Sequence, residues 1–135
     1  GDQSNFDTYA ILVIQAPSKL KAVMSTAHDD WAQVWINGEK WYNNSAWTGG
    51  AVKVSYDVEV ELNRGGNVLL YRCGESGGSD YFNLHFDDIT NRKVKYYPNN
   101  AKTKNGFFVE VNRALRGLAI EPADKLPVTW SEIKQ

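Results

Sequence analysis

The sequence predicts an all-β sandwich or barrel. Short stretches of two-residue alternation recur along the chain, Asn- and Gly-rich turns separate them, and helix-period patterns are nearly absent. At 135 residues the chain suits one domain with a real core.

Residues 6–16 (FDTYAILVIQA) are β-branched and apolar on both faces, as suits a central strand. Pro17-Ser18 breaks the run, and residues 20–27 alternate weakly. Residues 31–36 (WAQVWI) alternate well: Ala32, Val34 and Ile36 face one side, and Trp31, Gln33 and Trp35 the other. Asn37-Gly38 is a strong tight-turn signal. Residues 40–50 (KWYNNSAWTGG) read as a loop bearing Trp41, Tyr42 and Trp47. Residues 52–62 alternate, with Val54, Tyr56, Val58, Val60 and Leu62 on one face. After a turn at 63–66, residues 67–74 (NVLLYRCG) are apolar on both faces and read as central. Residues 75–80 form a Gly/Ser loop. In residues 81–86 (YFNLHF), Phe82, Leu84 and Phe86 point inward, and Tyr81, Asn83 and His85 outward. Residues 94–97 and 107–111 (FFVEV) are expected to add two short strands. Residues 113–120 fit a short helix or a return strand, and Thr129 with Glu132 suits a helix start.

Charge excludes some functions. Fifteen basic residues stand against 16 acidic ones, so a clustered basic excess for binding nucleic acid is not expected. No apolar run approaches the ~18 residues of a membrane span, so membrane insertion is not expected. Cys73 is the single cysteine, which rules out an intramolecular disulfide and a cysteine-only metal site. It lies in a strand apolar on both faces, where a thiol is an inert small hydrophobe. No nucleophile motif and no paired-carboxylate signature stands out, so an enzyme is not expected.

Two aromatic groups are candidate ligand surfaces. Trp31 and Trp35 face away from the core side of their strand. If strand order brings them beside Arg72, Tyr81, Asn83 and His85, one sheet face carries rings together with planar donors and acceptors. Rings stack on the C–H face of a pyranose, and a guanidinium reads a carboxylate or sulfate bidentately. The competing reading is that the C-terminal tail or a neighbouring domain covers this face. Trp41, Tyr42 and Trp47 form the second group. Loops at the ends of a sandwich are common binding elements. The competing reading is a loop anchored by its own aromatics.

Asp29, Asp30, Asp87 and Asp88 are the candidate metal ligands, for calcium, which takes six to eight oxygens. Adjacent residues on a strand point to opposite faces, so Asp29 and Asp30 need the second pair to complete a site. The residues themselves favour another role, an Asp shaping a turn through its own backbone bonds.

The motifs from Ala27 to Asp87 follow an order: DDWAQVWING, KWYNNSAWTGG, VEVELNRGGNVLLYR and GESGGSDYFNLHF. In that order the stretch resembles the galactose-binding-like jelly-roll modules that accompany secreted bacterial glycoside-active and surface proteins. The resemblance implies an antiparallel jelly-roll β-sandwich of about eight strands. It also implies carbohydrate binding, and it allows a structural calcium ion. The expectation is therefore a jelly-roll domain over residues 1–121, followed by a C-terminal tail or linker over 122–135. Its expected function is that of a non-catalytic carbohydrate-binding module of a larger secreted or surface protein, with oligo- or polysaccharide as partner. The alternative is a structural domain that docks another domain of its parent chain.

Overall fold

Alternation along each strand decides which side chains meet between two antiparallel sheets. The computed structural model describes residues 5–44, 52–53 (backbone only), 58–78 and 81–116. The expected boundary at 121/122, Trp47 and the helix start at Thr129 lie outside the described residues.

The first sheet is built from β1 (Phe6–Ala16), β3 (Trp31–Ile36), β4 (Glu39–Asn44), β7 (Gly65–Glu75) and β9 (Lys95–Tyr97), in the order β4-β3-β7-β1-β9. The second centres on β2 (Leu20–Asp29), which pairs with β5 (Val52–Lys53), β6 (Val58–Leu62) and β8 (Tyr81–Phe86). Met24 pairs with both Val58 and Phe86, and His28 with both Val52 and Phe82, so β8 occupies one flank of β2 and β5 and β6 the other.

Between the sheets lie Ile14, Ala32, Val34, Ile36, Leu69 and Tyr71 from the first and Ala22, Met24, Val60, Leu62 and Phe86 from the second. The inward phase expected for 31–36 and for Val60, Leu62 and Phe86 is the observed one. β7 lies centrally, bonded to β1 along one side and to β3 along the other. β1 is central only in part. β9 covers Val13 to Gln15, so among the described residues the first half of β1 is a sheet edge.

Two turns are tied together. Asn37 and Gly38 both take positive φ, as the tight hairpin between β3 and β4 requires. The Asn37 side chain donates to the Asn67 Oδ1 at 2.8 Å and accepts from the Val68 N–H at 2.9 Å. Asn67 is fully buried, and its Nδ2 donates to the carbonyls of Ile14, Asn63 and Gly65. One side chain thus joins the β6–β7 turn to the β3–β4 turn, with its polar atoms satisfied.

Two expectations change. The start of the expected aromatic loop is strand β4, paired with β3 through the Asn-Gly turn. The ladder overrides the poor strand propensity of Asn43 and Asn44. The register shifts between Val34 and Trp35, leaving Trp41 without an opposite residue. The expected strand at 107–111 is instead the middle of helix α2 (Lys104–Leu115). A short helix α1 (Asp88–Asn91) also follows β8. Thr103 caps α2, its Oγ accepting from the Gly106 N–H at 3.1 Å. Phe107, Val111 and Ala114 recur at helical spacing, which was the available signal.

Helix α2 lies on the outer face of the first sheet. Leu69 and Tyr71 point into the core, so Gly66 and Val68 point out. A Cβ on Gly66 would stand 2.8 Å from the Ala114 carbonyl oxygen, so the bare glycine admits the helix backbone. Val13, beside it, is fully buried.

Candidate functional site

Beyond the stretch at Val13 and Gly66, the outer face of the first sheet is open among the described residues. Register lines its side chains into two cross-strand rows. One row runs Tyr9, Arg72, Gln33, Asn43. The next runs Ile11, Leu70, Trp35, Lys40. Each row spans four strands, roughly 14 Å, and the rows stand about 7 Å apart. The first is polar with an aromatic at one end, and the second is apolar with a cation at the other. Tyr9 is 56% exposed and Ile11 51%.

Arg72 is held on three sides. Its Nε and Nη2 donate to the Asp7 Oδ2 at 3.1 and 2.6 Å. Its guanidinium carbon sits 4.5 Å from the centre of the Trp31 ring and 5.7 Å from that of Tyr9. The Tyr9 hydroxyl also reaches the Asp7 Oδ2, at 3.3 Å. The positive charge is therefore matched, and among the described residues the Nη1 N–H groups have no hydrogen-bond acceptor.

Trp31 lies across Gly74. A Cβ on Gly74 would stand 2.1 Å from the indole, so only glycine leaves room. With Arg72 stacked on it, Trp31 is only 8% exposed. Its ring forms the floor on which Arg72 rests. Trp35 is half-buried, with the Lys40 ammonium 4.9 Å from its ring centre. Gln33 Nε2 donates to Asn43 Oδ1 at 2.7 Å, which orients both amides on the surface.

The other expected ligand residues lie elsewhere. Asn83, His85 and Tyr81 are on β8, opposite Ala27, Ser25 and Asp29 in the second sheet. They do not share a face with Trp35 and Arg72. Sequence phase was right for each strand, but sheet membership separated them. Phe82, expected inward, remains 42% exposed where the sandwich opens between β1 and β8. There a cleft of about 260 Å³ is lined by Ala10, Leu12, Tyr71, Phe82, Asn83 and Leu84. His85 borders a neighbouring cleft of about 230 Å³.

Tyr42 is not a loop platform. It is buried, and its hydroxyl lies 2.7 Å from the His28 Nε2. Nδ1 of the same ring is 2.9 Å from the Asp30 carbonyl, which can only accept. His28 therefore carries its proton on Nδ1 and accepts from Tyr42 at Nε2. Burial lowers the His28 pKa and holds the ring neutral. Trp41 is half-buried and packs against the core. Of this aromatic group, only Trp47 has its position outside the described residues.

The expected calcium ligands are also separated. Asp29 pairs opposite Tyr81, whereas the Asp87 N–H bonds to the Val23 carbonyl. Roughly 20 Å of ladder lies between the two acid pairs. No group of three or more metal-ligating side chains is present among the described residues. Two of the four acids, Asp30 and Asp87, hold nearby backbone. Asp30 is buried, and its Oδ2 accepts from the Ser76 N–H at 2.9 Å and from the Ser76 hydroxyl at 2.6 Å. Asp87 caps α1, accepting from the Thr90 N–H at 2.9 Å; hydrogen bonding from the Thr90 side chain, and then from its N–H, lowers the Asp87 pKa. Asp88 is exposed in the first turn of that helix, where a negative charge suits the dipole. Partial burial and the neighbouring Asp30 and Glu75 carboxylates raise the Asp29 pKa.

Sequence reasoning missed Tyr9, Ile11, Asp7 and Asn43 as parts of this face, and it placed Gln33 beside Trp31 and Trp35 without naming it a candidate. Asp7, Tyr9 and Ile11 share one phase of β1, a signal present in the sequence. Which strand they neighbour was not. Comparison with protein-family models, with curated proteins and with solved structures found no match for the chain.

Proposed function

We propose that this chain is a non-catalytic carbohydrate-binding module, a jelly-roll β-sandwich belonging to a larger secreted or surface protein. The ligand seat is the open outer face of the first sheet. The observation that carries this reading is the two-row arrangement: Tyr9 and Trp35 present rings, and Arg72, Gln33 and Asn43 present oriented donors and acceptors beside them. A flat face of this kind suits a saccharide, whose ring offers C–H bonds to an aromatic and hydroxyls to amides. Asp7 neutralises Arg72, so the preferred ligand is a neutral glycan. The mode needs no cofactor.

A glycan array on the isolated chain, repeated with Tyr9→Ala and Trp35→Ala, tests the proposal. Specific binding to neutral glycans that both variants abolish supports it. Binding unchanged in both variants moves the site off this face.

A second reading is favoured by the exposure of Ile11 and Tyr9 together. The same face would then dock another domain of the parent chain. Sedimentation discriminates the two. A stripped docking face self-associates, and Ile11→Lys suppresses the association; a sugar face leaves a monomer in both forms.

A further inference from the structure

We propose that a second site, at the end of the first sheet, binds oxyanions. A cavity of about 550 Å³ opens beside the end of β1 and is lined by Gln15, Arg64, Gly65, Lys93 and Lys95, with no Asp or Glu lining it among the described residues. The ladder explains the convergence. Gln15 pairs with Lys95 on one side of β1, and Ala16 pairs with Gly65 on the other. Arg64 and Lys95 therefore flank the end of β1 from the two neighbouring strands, whose backbones lie roughly 10 Å apart. Lys93 stands two residues before Lys95 at the entry to β9.

The three cations are exposed, and none takes part in an ion pair among the described residues. Being unpaired does not itself set them apart, since Lys40, Arg92, Lys102 and Lys104 are exposed and without an ion pair among the described residues too; their convergence on one cavity does. Lys93 is near enough to Asp87 to help hold that carboxyl low, without bonding to it. The chain as a whole carries a net charge of -1, so the cluster is not a sample of a basic surface. Three like charges around one concavity repel each other, and an oxyanion between them relieves that repulsion. Arg64 supplies a planar fork for two oxygens, Lys93 and Lys95 supply mobile ammonium groups, and the Gln15 amide adds a neutral donor. The site is separate from the Tyr9–Trp35 face and does not depend on the sugar reading. The anion it takes is a sulfate, phosphate or carboxylate group, either free or carried on an acidic glycan.

The test is an amide NMR titration of the full chain with inorganic sulfate, with a heparin-derived hexasaccharide and with an uncharged hexasaccharide. The Arg64→Gln/Lys93→Gln/Lys95→Gln variant is run in parallel, with Lys102→Gln as the control and a thermal melt to verify folding. The expected result is saturable shifts centred on Arg64, Gly65, Lys93 and Lys95, weakened about tenfold or more in the triple variant and unchanged in the control. Tighter binding of the sulfated hexasaccharide than of sulfate identifies a glycan-borne anion, and equal binding a free one; both support the site. Non-saturating shifts, shifts spread over other lysines, or an unchanged affinity in a folded triple variant overturn it. The uncharged hexasaccharide reports on Tyr9 and Trp35 through different resonances, so the two proposals fail independently.

Discussion

Gly74 shows how one missing side chain shapes the proposed sugar face. The Trp31 indole lies where a Cβ would stand, and Arg72 lies on the indole. Gly74→Ala should force the ring away and destabilise the fold by about 2 kcal/mol, the usual cost of overpacking. A lowered midpoint in urea, with a red-shifted tryptophan emission, is the expected readout. His28 gives a pH prediction at the same scale. Its folded pKa lies below the unfolded value of 6.5, because burial disfavours the charged ring. The folded state therefore binds the proton less readily than the unfolded chain. This contribution to stability is complete above about pH 6.5 and is lost as pH falls through that value towards the folded pKa. The melting temperature should fall between pH 7 and 5, and His28→Gln should flatten that slope. Asp29 works in the opposite sense. Its folded pKa is raised, so its charge destabilises the fold at neutral pH, and that cost fades as pH falls. Asp29→Asn should raise the melting temperature at pH 7, with the gain shrinking in acid.

At the scale of elements, α2 decides how much of the first sheet is open. It crosses the outer face where Gly66 leaves room for the Ala114 carbonyl. Gly66→Ala places a methyl against backbone, which cannot swing aside as a side chain can. The helix should lift from the sheet, and hydrogen exchange should accelerate in residues 104–115 while β7 stays protected. Thr103→Ala removes the cap of the same helix and should cost about 1 kcal/mol, read as a shift in the urea midpoint. The strand periods of β3, β6 and β8 were legible because each faces a core on one side, whereas β2 alternates only weakly in sequence and β7 is apolar on both faces. α2 and β4 were not legible. Phe107, Phe108, Val109 and Val111 are strand formers by propensity, yet the Thr103 cap and packing against β1 and β7 make them helical. Asn43 and Asn44 are loop formers by propensity, yet β3 supplies a ladder for them.

At the scale of the whole molecule, charge matching sets the expected selectivity. With Arg72 bound to Asp7, affinity for a neutral glycan on the outer face should change little with ionic strength. Asp7→Asn should free the guanidinium and shift the preference towards uronate or sulfated glycans, readable on the same array. The sequence by itself determined the β class, the turn at Asn37-Gly38, the inward phase of most strands and the burial of Cys73, because these depend on neighbours one to four residues away. Only the tertiary structure decided which strands share a sheet. It put Trp35, Arg72 and Tyr9 on one face, moved Asn83 and His85 to the other sheet, and set Asp29 and Asp87 far apart along one ladder. The physical reason is that strand pairing is a long-range choice. A two-residue period fixes which way each side chain points, while the partner strand is selected by the packing of the whole core.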